Sequence, residues 1–187
     1  MKPETLSRYV LRITLVLLTI SAAVAGLLAL VNRITAPVIA QATAAKTQAA
    51  IEKVLPGGYT RQITDFPDQT GLVSKVYEGE QGYALEVTPM GFDNTVTMMV
   101  GVDQEGNVLG IDIISHSESA GLGAVAASAH SAGVNFRQQF VGASGSVAVS
   151  KDGGQIDAIT GATVTSRAVC QGVNAALACV AELGGLS

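Results

Sequence analysis

The sequence predicts an α+β protein: a single N-terminal transmembrane helix, then one domain with a mostly antiparallel sheet and a long C-terminal helix. Three observations carry this. Residues 13–31 form an uncharged apolar run, short β-branched segments separated by turn residues fill 59–115, and the last stretch before the C-terminus repeats its apolar residues every 3.6 positions. At 187 residues, with 48% apolar against 14% charged residues, the chain suits one ordinary domain plus an anchor. It is too apolar for disorder and unusually apolar for a wholly water-soluble protein.

The run ITLVLLTISAAVAGLLALV (13–31) spans roughly 28 Å at ~1.5 Å per residue, close to a hydrocarbon core of about 30 Å. Lys2, Arg8 and Arg12 precede it and only Arg33 follows closely. Residues 1–33 hold four cations against Glu4, whereas the rest of the chain holds seven cations against fourteen acids. The positive-inside rule then makes 1–12 a cytoplasmic tail and places 59–187 on the extracytoplasmic side of a prokaryotic cell (inner) membrane, held by one span. A cleaved signal peptide competes, with small residues around Val38-Ile39-Ala40, but a secretory apolar core covers only about 7–15 residues, so a retained anchor is expected. Beyond the span, Thr35 as cap and Pro37 in the first turn predict a juxtamembrane helix over 35–55, stopped by Pro56-Gly57-Gly58.

Strands are expected at 73–77, 83–88, 95–102 and 108–114, the last two forming an antiparallel hairpin around residues 103–107. Met98 and Met99 alternate in that hairpin, so one faces the core and the other a helix or partner. A small-residue stretch (121–132), an amphipathic piece around Phe136 and Phe140 and a strand at 147–149 follow. In the final helix Val169, Val173, Ala176, Leu177 and Val180 mark the core face, ending at Gly184-Gly185.

Composition excludes several functions. An acidic body without Trp, and with aromatics at 4%, argues against nucleic acid as a partner. Cys170 and Cys179, nine positions apart on one helix, lie on opposite faces about 13 Å apart along its axis and cannot pair; they read as small hydrophobes. Neither they nor His116 and His130 have metal-chelating spacing, so no metal is expected. Gly121-Leu122-Gly123-Ala124-Val125-Ala126 imitates a dinucleotide fingerprint, yet a loop precedes it and no acid stands about 20 positions on. Gly142-Ala143-Ser144-Gly145-Ser146 has Ser where a nucleophile elbow ends in Gly.

The segment Asp157-Ala158-Ile159-Thr160-Gly161-Ala162-Thr163-Val164-Thr165-Ser166 opens the C-terminal helix. Helix N-termini present unpaired N–H groups to phosphate, and Gly161 with Ala162 allow close approach to the backbone. Plain N-capping is the competing explanation and, on pattern alone, the weightier one, although one cap needs only one of the hydroxyls at 160, 163, 165 and 166.

Asp157-x-x-Thr160-Gly161-Ala162-Thr163 resembles the flavinylation signature of the FMN-binding domain family, and 115–123 (Ser115-His116-Ser117-Glu118-Ser119-Ala120-Gly121-Leu122-Gly123) is similar to that family's flavin-side loop, with Ser119 and Ala120 replacing the usual Thr and Pro. The leading span, Thr35-Ala36-Pro37 and Leu55-Pro56-Gly57 resemble one branch, the G subunits of Rnf ion-translocating electron transport complexes; the sister C subunits of the Na+-translocating NADH:quinone reductase are usually longer. The resemblance implies FMN joined covalently by a flavin transferase, through a phosphoester, to Thr163. It implies further contacts from Thr160, Gly161, Ala162, Val164, Thr165, His116, Glu118, Gly121, Leu122 and Gly123, with Thr165 or Ser166 also capping the helix. His116 and Glu118 stand equally as pocket or loop-fixing residues. The implied role is a membrane-anchored electron carrier in a ferredoxin:NAD+ oxidoreductase complex transporting Na+ or H+, with the other membrane and peripheral subunits and the lipid bilayer as partners. No side chain is assigned a catalytic role, because the cofactor carries the redox chemistry. A reversible phosphate-ligand sensing domain and a stand-alone flavinylated extracytoplasmic reductase are the alternatives.

Overall fold

The first helix, α1, runs from Pro3 to Val54, in a computed structural model that describes residues 3–184. Lys2 of the basic flank and Gly185 of the expected helix stop lie outside the described residues. The break expected near residue 35 is absent. Thr35 Oγ1 donates back to the Val31 carbonyl (3.0 Å) instead of capping a new helix, and Pro37 is accommodated within the helix at the loss of one backbone donor. The chain divides into two compact units at Ala45/Lys46. In the first, leucines point outward around the helix, with Leu17, Leu18, Leu27 and Leu28 each about 60% exposed. The helix is long and apolar enough to cross a membrane, and an apolar surface on every side is what lipid accepts and water does not.

The second unit starts with the last turns of α1, ahead of the boundary at Tyr59, and is organised by a five-stranded antiparallel meander. The strands are β1 (Arg61–Ile63), β2 (Val73–Gly79), β3 (Gly82–Val87), β4 (Thr97–Asp103) and β5 (Val108–Ser115), paired in sequence order. The predicted hairpin is β4–β5, with Val100 opposite Ile111. Its turn is held by the Asp103 carboxylate, which accepts from the N–H groups of Glu105 (3.0 Å) and Asn107 (2.7 Å). β1, whose Arg-Gln-Ile has no apolar run, went unpredicted, and β4 begins two residues later than expected because Thr95 pairs only as an isolated bridge with Met90.

Both sheet faces are covered, which is why the strands read as apolar runs. One face packs Ala50, Ile51 and Val54 of α1, and Leu55 directly after it, against Tyr77, Ala84 and Met99. The other packs Leu85, Val87, Met98 and Val100 against the C-terminal helix α3 (Thr163–Leu183) and the short helix α2 (Ser131–Gln138). Met98 and Met99 thus face opposite layers, as alternation requires. Phe136 and Phe140 meet edge to face at 5.4 Å. Buried residues cover about 220° of α3's circumference at ~100° per residue. Cys170 lies at one margin of that arc and Cys179 inside it, about 40° from the other margin at Ala175; both are free and buried, with burial pushing each thiol up to about 11.

The strand expected at 147–149 is extended chain outside the sheet, with one bridge from Val149 to Ile156. Its backbone is satisfied by a side chain instead: Asn174 on α3 accepts from Val147 N–H (2.8 Å) and donates to the Val147 carbonyl (2.9 Å). A buried peptide needs its hydrogen bonds met, but not by a strand.

Candidate functional site

The approach to α3 is fixed residue by residue. Gln139 clamps the Asp157 peptide from both sides, accepting its N–H (2.7 Å) and donating to its carbonyl (3.3 Å); the Asp157 carboxylate has no hydrogen-bond partner among the described residues. Ser166 Oγ accepts from Ile159 N–H (3.0 Å) and donates to the Ala162 carbonyl (2.9 Å), folding the 159–162 turn onto the helix. Within it Gly161 has φ +77°, the left-handed region.

None of the four hydroxyls caps α3. The cap position is Ala162, without a side-chain hydrogen bond to the first turn, so the capping expected of Thr165 or Ser166 is corrected: both hydroxyls are drawn elsewhere. Thr165 Oγ1 donates to Glu118 Oε2. Thr160 is exposed, and Thr163 Oγ1 accepts from Lys151 Nζ at 3.2 Å. The first-turn N–H groups and the positive end of the helix dipole therefore face a cleft of about 280 Å³.

The two segments singled out in the sequence converge on this cleft. Gly161, Ala162, Thr163, Val164 and Thr165 line it from one side, and Glu118, Ser119, Leu122 and Gly123 from the other. Glu118, 7% exposed, is the clasp between them. Its carboxylate takes the Thr165 hydroxyl together with the N–H groups of Phe92 (2.9 Å) and Asp93 (3.3 Å). Gly123 passes so close that a Cβ there would come within 2.9 Å of Glu118 Cβ and also meet Thr165 Oγ1. His116, Gly121 and Thr160 lie outside the lining. His116 Nδ1 accepts from Glu118 N–H (3.2 Å), a loop-fixing bond.

Two lining residues escaped the sequence reading. Phe92, 68% exposed, sits in the turn before β4, and its number carries no local signal of nearness to α3. Lys151 lies on a 3₁₀ turn, Ser150–Asp152, whose next residue, Asp152, receives a two-pronged ion pair from Arg167 of α3 (2.7 Å for each bond). The Arg167 guanidinium holds the Asp152 carboxyl below its usual range. A lysine in a turn is a legible hint only once its partner on α3 is known.

An uncapped helix start, an ammonium beside it and a Cβ-free approach define an anion-accepting cleft of the kind that receives a phosphate. Residues 91–178, which contain every residue lining the cleft, match the FMN-binding domain family. Over 84% of its length, and 84% of its relative's, the chain is 36% identical to the G subunit of the ion-translocating oxidoreductase complex of Yersinia pestis. It is 31% identical, over 89% of both chains, to the G subunit of the Na(+)-translocating ferredoxin:NAD(+) oxidoreductase complex of Acetobacterium woodii. A similar protein, 28% identical over 91% of this chain and 94% of its own, occurs in Methanosarcina acetivorans. The chain belongs to this family of G subunits and carries its FMN-binding domain. These relatives are by name subunits of redox enzymes that translocate ions.

The residues present fit the phosphate end of FMN. A phosphate oxygen suits the first-turn N–H groups and Lys151, and at Gly161 a Cβ would intrude to 2.9 Å from Leu122 Cδ2, narrowing the cleft. Phe92, Leu122 and Val164 supply exposed apolar surface for a ring system.

Proposed function

We propose that this protein is a membrane-anchored electron carrier whose FMN is joined by a phosphoester to Thr163, within an ion-translocating ferredoxin:NAD+ oxidoreductase complex. The observation that carries this reading is the environment of Thr163: a hydroxyl at the uncapped start of a 21-residue helix, half-buried in a cleft, with Lys151 at 3.2 Å. When bound, the flavin supplies one- and two-electron chemistry that the side chains lack. Thr163 would tether it, the α3 N–H groups and Lys151 would receive the phosphate, and Phe92, Leu122 and Val164 would pack against the ring. Asp157, with its carboxylate directed to solvent, is available to the flavin transferase that matures the protein. At about 280 Å³ the cleft is at the small end of ligand sites, about 300–1,000 Å³, so it leaves cofactor surface open to a partner subunit. The anchor holds the domain on the extracytoplasmic side of the cell membrane, where covalent attachment prevents loss of the cofactor.

Mass mapping of protein co-expressed with the transferase tests this. The adduct is expected on the Thr163 peptide, with flavin fluorescence persisting after denaturation, and Thr163→Ala should abolish both. An adduct surviving that change would overturn the assignment, and flavin released on denaturation would favour a reversible binding domain. Co-purification with several polytopic subunits is the outcome expected of a member of a complex rather than a stand-alone reductase.

A further inference from the structure

Two parallel contacts join the Ser150–Asp152 turn to α3. Lys151 reaches Thr163 and, one residue on, Asp152 takes both prongs of Arg167, four positions later on the same side of the helix. The Asp152–Arg167 pair is internally neutral. Among the described residues lining the cleft, the charged side chains are Glu118 and Lys151. Glu118 is buried and spends its oxygens on Thr165, Phe92 and Asp93, whereas the Lys151 ammonium has two further N–H donors to offer beyond Thr163. An anion entering the cleft is therefore repelled from the loop side and drawn to the Lys151 side.

We propose that Lys151 fixes the tethering phosphate, and through it the orientation of the flavin, and that the Asp152–Arg167 pair positions Lys151 for this. The inference rests on Thr163 being the attachment point. A phosphodiester keeps one negative charge, which the α3 N–H groups and this single ammonium compensate; the ester oxygen would be the one Lys151 already contacts. Lysine acts here as a point charge on a flexible stem, so it depends on its turn being pinned. A bidentate Arg–carboxylate contact supplies that geometry.

The test uses the full-length chain in detergent, co-expressed with the flavin transferase. Flavin per chain is read by intact mass, ring mobility by fluorescence anisotropy, the phosphate by ³¹P NMR and folding by circular dichroism. Wild-type protein without an adduct on the Thr163 peptide overturns the attachment reading and the role of Lys151 with it. With the adduct present, Lys151→Met should lower the anisotropy and shift the ³¹P resonance, Lys151→Arg should restore the anisotropy, and Asp152→Asn should fall between. High salt, about 1 M, where the screening length is roughly 3 Å, should lower the wild-type anisotropy and leave that of Lys151→Met unchanged. If folded Lys151→Met arrives without flavin, recovery of attachment in Lys151→Arg supports the role and failure to recover overturns it. Equal anisotropy and ³¹P shift in wild type and Lys151→Met at equal flavin content overturn it too, while leaving Thr163 as the attachment site.

Discussion

Gly123 has no room for a side chain, because Glu118 and Thr165 already occupy the space a Cβ would take. Gly123→Val should therefore destabilise the folded domain by about 1–3 kcal/mol through overpacking. Gly121→Ala, which meets open space but has φ +77°, should cost about 1–2 kcal/mol from backbone strain alone; thermal melts of the detergent-solubilised chain compare the two. Away from the cleft, burial raises the Asp68 carboxyl pKa, but the Thr70 hydroxyl and the N–H groups of Val73, Thr70 and Gly71 outweigh it and hold the pKa below its usual value. A depressed carboxylate stabilises the fold fully above its unfolded pKa, near 3.8, and loses that contribution as pH falls through the folded value. Melting temperature should drop as pH is taken below about 4, and Asp68→Asn should flatten this slope; an unchanged slope would show that other carboxylates govern it. At this scale the local motif around Thr163 was legible because its residues are contiguous. Lys151 was not, since its nearness to Thr163 is made by Arg167 and Asp152, and neither was the fate of Thr165, whose hydroxyl finds a carboxylate 47 positions earlier.

The end of α1 lies on the sheet through a glycine: a Cβ at Gly101 would run into the Val54 backbone, whereas one at its cross-strand neighbour Gly110 would rest 3.8 Å from Val54 Cα. Gly101→Ala should cost about 1–3 kcal/mol. Gly110→Ala should be neutral or stabilise by up to roughly 1 kcal/mol, because Ala loses less backbone freedom in a strand; chemical denaturation of both variants checks the contrast, and equal losses would mean that the helix end does not pack here. The hairpin and α3 were readable because turn chemistry and a 3.6-residue period are local signals. The helix break at Thr35 and the strand at 147–149 were misread for a shared reason: a hydroxyl bonding back to Val31 and a side chain of α3 satisfying Val147 replace the expected partners, and sequence spacing does not distinguish these choices.

At the scale of the whole molecule, the proposed orientation rests on charge rather than on fold. The flank before the span is basic, the chain beyond Arg33 carries fourteen acids against seven cations, and short basic segments are retained in the cytoplasm. The domain's chemistry is compatible with the outer side. Two free cysteines in an oxidising compartment would be a liability if exposed, but Cys170 and Cys179 are buried and their thiols are pushed up to about 11, so little thiolate is available for exchange. Protease added to right-side-out spheroplasts should remove the FMN-binding domain and leave a membrane-embedded fragment with an N-terminal tag intact. In inverted vesicles the pattern should reverse, the tag being lost and the domain protected. A protected domain with a cleaved tag in spheroplasts would mean that the charge bias does not govern insertion. Exchanging Arg8 and Arg12 for Gln should then weaken the bias and yield a mixed population, because it leaves Lys2 alone on that flank against Arg33, while the folded domain itself, built from residues beyond the span, keeps its melting temperature.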